Sequence, residues 1–171
     1  FASGRTGLSS ERDIAIYGQG ADLTSLDERI WSYGGIQVDK VEFRKDIPEN
    51  GLIESKLISK YGDTTVNLCR FKNYALLYAD SNQLISINDN IFEDIKGVYG
   101  LKLVSLNEPE EALAYIRRNV FQNANYAIYS AKQLDLGTNP ATDVGENVFE
   151  NCATAFYNIY DGDQVLEGNY L

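Results

Sequence analysis

The side chains that most often carry out catalysis are sparse in this chain. None of its 171 residues is a histidine, and histidine is the default general acid–base group near neutral pH and the commonest metal ligand. Ser-His-Asp and Cys-His arrangements within the chain are therefore excluded, as are mixed Cys/His zinc sites. An enzyme built on this sequence would depend on carboxylates, Lys, Arg, Tyr or a cofactor.

Carboxylates are the most plentiful of these groups, with 25 Asp+Glu against 15 Lys+Arg and a net charge of −10. Two of them facing one cleft could hydrolyse a polysaccharide. Several candidates, among them Glu28, Glu110 and Glu146, are already explained as capping residues of predicted helices. We therefore predict that the chain is not an enzyme and that it binds no cofactor or metal.

Gly18-Gln19-Gly20 is the one segment that resembles a phosphate-binding turn, because it lies between a predicted strand and a predicted helix. The third glycine of the dinucleotide fingerprint is missing, since position 23 is Leu, and Asp22 places a negative charge where a pyrophosphate would lie. We interpret the segment as an ordinary glycine turn.

Two cysteines, Cys69 and Cys152, allow one disulfide within the chain. That bond would close a loop of about 80 residues and contribute about 4 kcal/mol in the chain-entropy model. The alternative is that both are buried thiols that act as small hydrophobic groups. We predict the disulfide, because the turn-rich start at Phe1 is typical of a mature N-terminus left after a targeting segment is removed.

The same features predict the location and the kind of partner. We expect an extracytoplasmic protein, whether secreted, periplasmic or in an organelle lumen. No apolar run approaches the roughly 18 residues that span a bilayer, so no direct membrane span is expected. The net charge of −10 makes nucleic acid an unfavourable ligand, and other protein subunits are the expected partners, in a homo- or hetero-assembly.

Tyrosine is the enriched side chain, with 12 residues against a single Trp. Tyrosine buries a large area at a small entropic cost and keeps a hydroxyl available, which suits interfaces. Tyr157, Tyr160 and Tyr170 lie close together in the sequence near the C-terminus, and we predict an interface there. The alternative is that tyrosines fill half-buried positions throughout the fold.

The pattern of apolar residues predicts interspersed strands and short helices. The predicted strands lie at 14–17, 36–43, 64–71, 74–79, 84–87, 98–106 and 126–130. The predicted helices, each with a capping or breaker signal, lie at 22–31, 49–61, 89–96, 107–119 and 143–160. The fold class is therefore α+β: an antiparallel or mixed sheet with several short helices packed on it. We expect one compact domain at 13–160, a flexible segment at 1–12 and a tail at 161–171.

One weak internal similarity is present. Asn90-Ile91-Phe92-Glu93 resembles Asn147-Val148-Phe149-Glu150, and each follows an Asn-Tyr-Ala segment. The spacing from that segment differs between the two copies, so we interpret the similarity as coincidence rather than as a repeat.

Three functions follow from these observations. The first is a non-catalytic protein that acts through protein–protein contacts, as an accessory or structural subunit of a larger assembly. The second is an acidic inhibitor or immunity-type protein that covers the basic site of an enzyme or toxin. The third is a carboxylate-dependent polysaccharide hydrolase.

Overall fold

The computed structural model of the chain describes residues 8–10, 12–20, 25–26, 30–45, 55–60, 62–80, 84–104, 114–137, 144–159 and 168–171. The strands in this part of the chain are β1 (Leu8–Ser10), β2 (Ile14–Tyr17), β3 (Ser25–Leu26), β4 (Ile30–Ser32), β5 (Ile36–Asp39), β6 (Glu42–Lys45), β7 (Ser55–Lys60), β8 (Thr64–Asn67), β9 (Arg70–Asn73), β10 (Leu76–Asp80), β11 (Ile85–Asn88), β12 (Ile91–Glu93), β13 (Tyr99–Val104), β14 (Ala114–Arg117), β15 (Val120–Gln122), β16 (Tyr126–Ser130), β17 (Leu134–Asp135), β18 (Val148–Glu150) and β19 (Thr154–Asn158).

The strands form three parallel sheets, and every third strand belongs to the same sheet. Sheet A has the order β1-β4-β7-β10-β13-β16-β19, sheet B β17-β14-β11-β8-β5-β2 and sheet C β18-β15-β12-β9-β6-β3. The chain therefore passes from sheet A to B to C and then returns to A beside its previous strand. The described residues complete six such coils, and β19 begins a seventh. The architecture is a parallel β-solenoid, in which each coil contacts only its neighbours.

Alternation along the strands places the core inside the coils. Burial alternates along β5, β8 and β11, so that each contributes two inward side chains. Because the strands of sheet B are parallel and in register, equivalent inward residues of successive coils lie on one another. The fully or almost fully buried residues of this column are Ile36, Val38, Thr64, Val66, Ile85, Ile87, Ala114 and Ile116.

A column of phenylalanines fills the core beneath sheet C. Neighbouring ring centroids are 5.0, 4.8, 4.6 and 5.2 Å apart, and the ring planes lie within 13° of parallel. The column consists of Phe43, Phe71, Phe92, Phe121 and Phe149. Each ring belongs to a different coil, so the column joins five coils through offset stacking and burial of apolar area.

A ladder of asparagines, Asn90, Asn119, Asn147 and Asn169, runs along the corner between sheets B and C. The first three are fully buried and Asn169 is half-buried. Their spacings are 29, 28 and 22 residues. Each asparagine Nδ2 donates to a backbone carbonyl of the preceding coil, at 2.8 to 3.1 Å. Each Oδ1 accepts the backbone N–H of the preceding rung, at 2.9 to 3.2 Å. The ladder satisfies backbone groups that a sharp corner would otherwise leave buried without a partner.

The residue before each rung has the left-handed conformation that makes the corner sharp. Its φ is 58° at Asp89, 54° at Arg118 and 50° at Glu146. Gly168 takes this position in the last described coil, with φ 69°. Non-glycine residues adopt this conformation at a cost, and the two hydrogen bonds per asparagine side chain offset it.

The predicted α+β class with an antiparallel sheet and packed helices is wrong: the described residues form only parallel strands, with turns and bends between them. The predicted helix at 89–96 contains β12, and the one at 143–160 contains β18 and β19. Asp89, the first residue of the predicted helix at 89–96, instead occupies a left-handed corner. The same short polar residues that cap helices also stabilise turns, so the residues that predicted a helix start here form a turn instead.

The other predicted helices lie partly outside the described residues. Within the described part, the predicted helix at 22–31 contains β3 and the start of β4. The predicted helix at 49–61 contains β7, and the one at 107–119 contains β14. The predicted strands at 14–17, 84–87 and 126–130 are confirmed as β2, β11 and β16, although each pairs in parallel.

The internal similarity that we interpreted as coincidence is part of the repeat. Asn90 and Asn147 are rungs of one ladder, and Phe92 and Phe149 belong to one column. The spacing from the Asn-Tyr-Ala segment differs between the two copies because the connection from β17 to β18 is longer than the one from β11 to β12.

The predicted division into 1–12, 13–160 and 161–171 falls partly on residues outside the described part. Leu8–Ser10, in the segment expected to be flexible, pairs with β4. In the predicted tail, Asn169 is the last rung of the ladder and Tyr170 forms a bridge with Val148. Within the described ranges, the chain has no helix long and apolar enough to cross a membrane.

We expect Asn119→Ala to lower the free energy of unfolding by about 3–4 kcal/mol, because it leaves the buried Asn90 N–H and the Ile87 carbonyl without their partners. Asn125→Ala, at an exposed position, is the matched control and should change stability by no more than about 0.5 kcal/mol. Urea denaturation measures both. Equal stability of the two variants would contradict a structural role for the ladder.

Cys69 occupies the rung before Asn90, and its thiol lies 3.6 Å from the Val38 carbonyl, where the other rungs place an amide. We expect Cys69→Asn to extend the ladder by one rung and raise the free energy of unfolding by about 1 kcal/mol, the net value of a hydrogen bond. Cys69→Ala is the control and should lower it. If Asn destabilises the protein as much as Ala does, position 69 is not equivalent to the asparagine rungs.

Candidate functional site

The outer surface of sheet A carries rows of aromatic side chains in successive coils. The pairing register aligns Tyr78, Lys102, Tyr129 and Tyr157 across β10, β13, β16 and β19. It also aligns Tyr99 with Tyr126. Because parallel strands in register bring equivalent positions together, tyrosines that are far apart in sequence become neighbours on one surface.

A local irregularity brings the two rows together. In β13 and in β16, two consecutive residues are buried, Gly100 with Leu101 and Ala127 with Ile128, so the residues on both sides of each pair lie at the surface. A Cβ at position 100 would approach the Ala127 carbonyl oxygen to 3.2 Å. The first residue of each pair is therefore small, and this choice allows the two rows to converge.

Four tyrosine rings contact one another at this point. Tyr99 lies 5.6 Å from Tyr126 and 4.9 Å from Tyr129, with ring planes inclined by about 50° in both pairs. Tyr157 stacks on Tyr129 at 5.8 Å and lies 6.0 Å from Tyr126 at a steep 77°. These are favourable offset and edge-to-face arrangements, so the rings hold one another in place.

The rings enclose a groove of about 470 Å³, lined by Val98, Tyr99, Tyr126, Tyr129, Tyr157 and Ile159. We call it the tyrosine groove. It is open to solvent, and the rings of Tyr157 and the side chain of Ile159 are about half exposed, at 49% and 54%. The side chains that line it are aromatic or aliphatic, and the tyrosine hydroxyls are their only polar groups.

Lys102 lies beside the groove with its ammonium over aromatic faces. Its Nζ is 5.3 Å from the ring centroid of Tyr129, 5.5 Å from that of Tyr99 and 5.9 Å from that of Tyr78. These distances are within the range in which a cation is attracted to the negative face of a ring. Partial burial, followed by the neighbouring Tyr129, Tyr126 and Tyr157 hydroxyls, raises the pKa of Tyr99 above its usual range, so this phenol stays neutral at physiological pH.

The predicted interface residues do not form one site. Tyr157 lines the tyrosine groove, whereas Tyr170 pairs with Val148 beside sheet C, and Tyr160 lies outside the described residues. Tyr99, Tyr126 and Tyr129, which also line the groove, were not predicted from the sequence. The signal that could have found them is the recurrence of Tyr-small-aliphatic-Lys/Tyr at 99–102 and 126–129.

Both cysteines are free thiols in this structure, so the predicted Cys69–Cys152 disulfide is not formed. Cys69 follows β8 in the third coil and Cys152 follows β18 in the sixth. Three coil spacings of about 4.8 Å put roughly 14 Å between the two levels, well beyond the about 7 Å that a disulfide tolerates between Cα atoms. Burial is the main cause that raises the pKa of both thiols, to about 11 for Cys69.

A second groove, of about 300 Å³, lies beside β2 and β5 and contains two carboxylates, Asp13 and Asp63. Asp13 accepts the Gly35 N–H at 2.6 Å, and Asp63 accepts the Leu84 N–H at 3.2 Å. Each carboxylate therefore stabilises a turn of the solenoid. Among the described residues, no three Cys, Asp or Glu side chains converge as they would to hold a metal ion.

Comparison of the chain with protein-family models, with curated proteins and with solved structures finds no match.

The raised pKa of Cys69 predicts how stability depends on pH. The thiol ionises near pH 9 in the unfolded chain but near 11 in the folded protein, so the folded state holds the extra proton between these values. Stability contributed by this group is complete below pH 9 and is lost as the pH rises towards 11. We expect the wild type to lose about 2 kcal/mol relative to Cys69→Ala between pH 8.5 and 11. Urea denaturation at each pH measures the free energy of unfolding of both proteins. If it changes with pH by the same amount in the wild type and in Cys69→Ala, the burial of this thiol is contradicted.

Proposed function

We propose that this protein is a non-catalytic recognition module that acts through protein–protein contact, as an accessory or structural subunit of a larger assembly. The observation that supports the proposal is the tyrosine groove, in which four aromatic rings from three successive coils meet on the outer surface of sheet A. The predicted extracytoplasmic location stays a prediction.

Tyrosine is enriched at the centres of protein interfaces because it combines a large apolar area with a hydrogen-bonding hydroxyl. It also has few rotatable bonds, so a contact immobilises little side-chain entropy. In this groove the cost is lower still, since Tyr129 is packed between Tyr99 and Tyr157 before any partner arrives. A prearranged surface spends less of its binding energy on ordering side chains.

The hydrolase alternative is less well supported by the same geometry. The two carboxylates that share a groove, Asp13 and Asp63, both accept backbone N–H groups of turns. A general acid for glycoside hydrolysis needs a raised pKa and access to the leaving oxygen. Both carboxylates are engaged in stabilising turns, and the tyrosine groove is lined without a carboxylate.

The acidic-inhibitor alternative is supported by the net charge of −10. Charge-led capture of a basic partner would slow steeply as salt rises, because steering of the encounter is screened. A packed contact at the tyrosine groove would instead change mainly in its dissociation rate when a ring is removed. Association and dissociation rates at two salt concentrations therefore separate the two functions.

We expect the double variant Tyr129→Ser/Tyr157→Ser to lose at least about tenfold in the amount of partner that it captures from the native source, because central interface tyrosines each contribute more than about 1 kcal/mol. Tyr17→Ser, which removes an exposed tyrosine from sheet B, is the matched control and should capture as much as the wild type. Circular dichroism checks that both variants are folded. Equal capture by all three proteins, or a wild type that captures nothing and stays monomeric, would overturn the proposed function.

A further inference from the structure

Two rings of the tyrosine groove, together with the neighbouring Tyr78, already hold a cation of this chain. The Lys102 ammonium is within 6 Å of three ring centroids, Tyr78, Tyr99 and Tyr129. Attraction at this range requires that the faces of the rings, and not only their edges, are turned towards the ammonium. The surface therefore has the electronic character of a cation site on the side that Lys102 occupies.

The remaining part of the groove has the same character and a suitable shape. Tyr126 and Tyr157 meet at 77°, so together they form a corner with aromatic walls. Tyr99 is inclined by 50° to Tyr126 and extends one wall of this corner. Rings in different orientations around one space are the arrangement by which proteins bind ammonium and guanidinium groups.

Charge favours a cation over an anion. The chain carries a net charge of −10, so its long-range field draws cations towards the surface and repels anions. The lining residues contribute no ionised group of their own, which means that the ring faces would provide the local attraction. Burial, followed by the nearby tyrosine hydroxyls, raises the pKa of Tyr99, so this phenol stays neutral near pH 7.

We propose that the tyrosine groove binds a basic side chain, Lys or Arg, of the partner protein, with its cationic end in the corner between Tyr126 and Tyr157. This inference rests on the proposed function and names the chemistry of the partner. The aliphatic stem of the side chain would lie along Val98 and Ile159, which line the same groove. Lys102 would define the edge of the site and repel a second cation that approached Tyr99 or Tyr129 too closely.

The test is a titration of the whole chain, with its tyrosine rings labelled with ¹³C and followed by NMR. The first probe is choline, and its control is 3,3-dimethylbutan-1-ol, which has the same shape without the charge. We expect choline to shift the ring signals of Tyr126, Tyr129 and Tyr157 saturably, and to bind about five- to tenfold more tightly than the neutral alcohol. Tyr157→Leu keeps the groove apolar and should abolish the preference for charge, whereas Tyr17→Leu should not.

A second arm asks whether the cation belongs to a protein side chain. Acetylated tripeptides Gly-X-Gly carry Arg, Lys, norleucine or Glu at X, and we expect Arg and Lys to shift the same rings while norleucine and Glu do not. Lys102→Gln should strengthen binding of the Arg peptide about threefold, because it removes a nearby like charge.

The outcomes separate this inference from the proposed function. Equal binding of choline and the neutral alcohol would overturn it, since the groove would then be only apolar. Binding of choline without the Arg and Lys peptides would also overturn it, because the ligand would be a small quaternary ammonium compound. In either case the proposed function stands if partner capture still depends on Tyr129 and Tyr157. Conversely, if the Arg and Lys peptides bind but no partner protein is captured, the cation site is supported and the proposed function is overturned.

Discussion

The buried asparagine ladder is the constraint on which the rest of the structure depends. Each rung, such as Asn119, binds the preceding coil twice: its amide donates to a backbone carbonyl, and its oxygen accepts a backbone N–H. A solenoid turns a sharp corner in every coil, and each corner would bury polar backbone groups without partners. From Asn90 onward, the asparagine side chain satisfies these groups and also fixes the register of its coil relative to the last. Phe71 follows Val66 by five residues across this corner. The column of stacked phenylalanines is therefore held in the same register as the ladder.

The tyrosine groove is a consequence of this register on the opposite side of the coil. Once successive coils are locked at the corner between sheets B and C, equivalent positions in sheet A must also align. Tyr129 and Tyr157 meet because they occupy the same position in neighbouring coils. The connections between sheets A and B vary in length without disturbing this alignment, since a solenoid tolerates insertions at its corners. Function can therefore be carried by the outer surface of sheet A while the inner residues maintain the fold.

The sequence predicted individual strands far better than it predicted the fold. Short runs such as Ile85–Asn88 alternate between buried and exposed residues, and local alternation is visible in the sequence. What decided the architecture was the recurrence of Asn and Phe at corresponding positions of each coil, and unequal connections hid this recurrence. Asp89 and Asn90 carry a helix-capping signal that is chemically the same as a corner signal. Of the tyrosines that line the groove, Tyr157 was among the predicted interface residues, but its neighbours Tyr99 and Tyr126 could be found only after the coils were aligned.

The central claim is that stacked parallel coils, locked by asparagines, bring the tyrosines of separate repeats together. The most direct measurement is the set of nuclear Overhauser contacts between side-chain amides of successive rungs and between the rings of Tyr129 and Tyr157. We expect cross-peaks that link Asn90 to Asn119 and Asn119 to Asn147, where hydrogen-bonded atoms lie 3.0 Å apart. Cross-peaks should also link the two tyrosine rings, whose centroids are 5.8 Å apart. The account would be contradicted if the cross-peaks between successive asparagine amides were missing and these residues instead showed the contacts of antiparallel strands or helices.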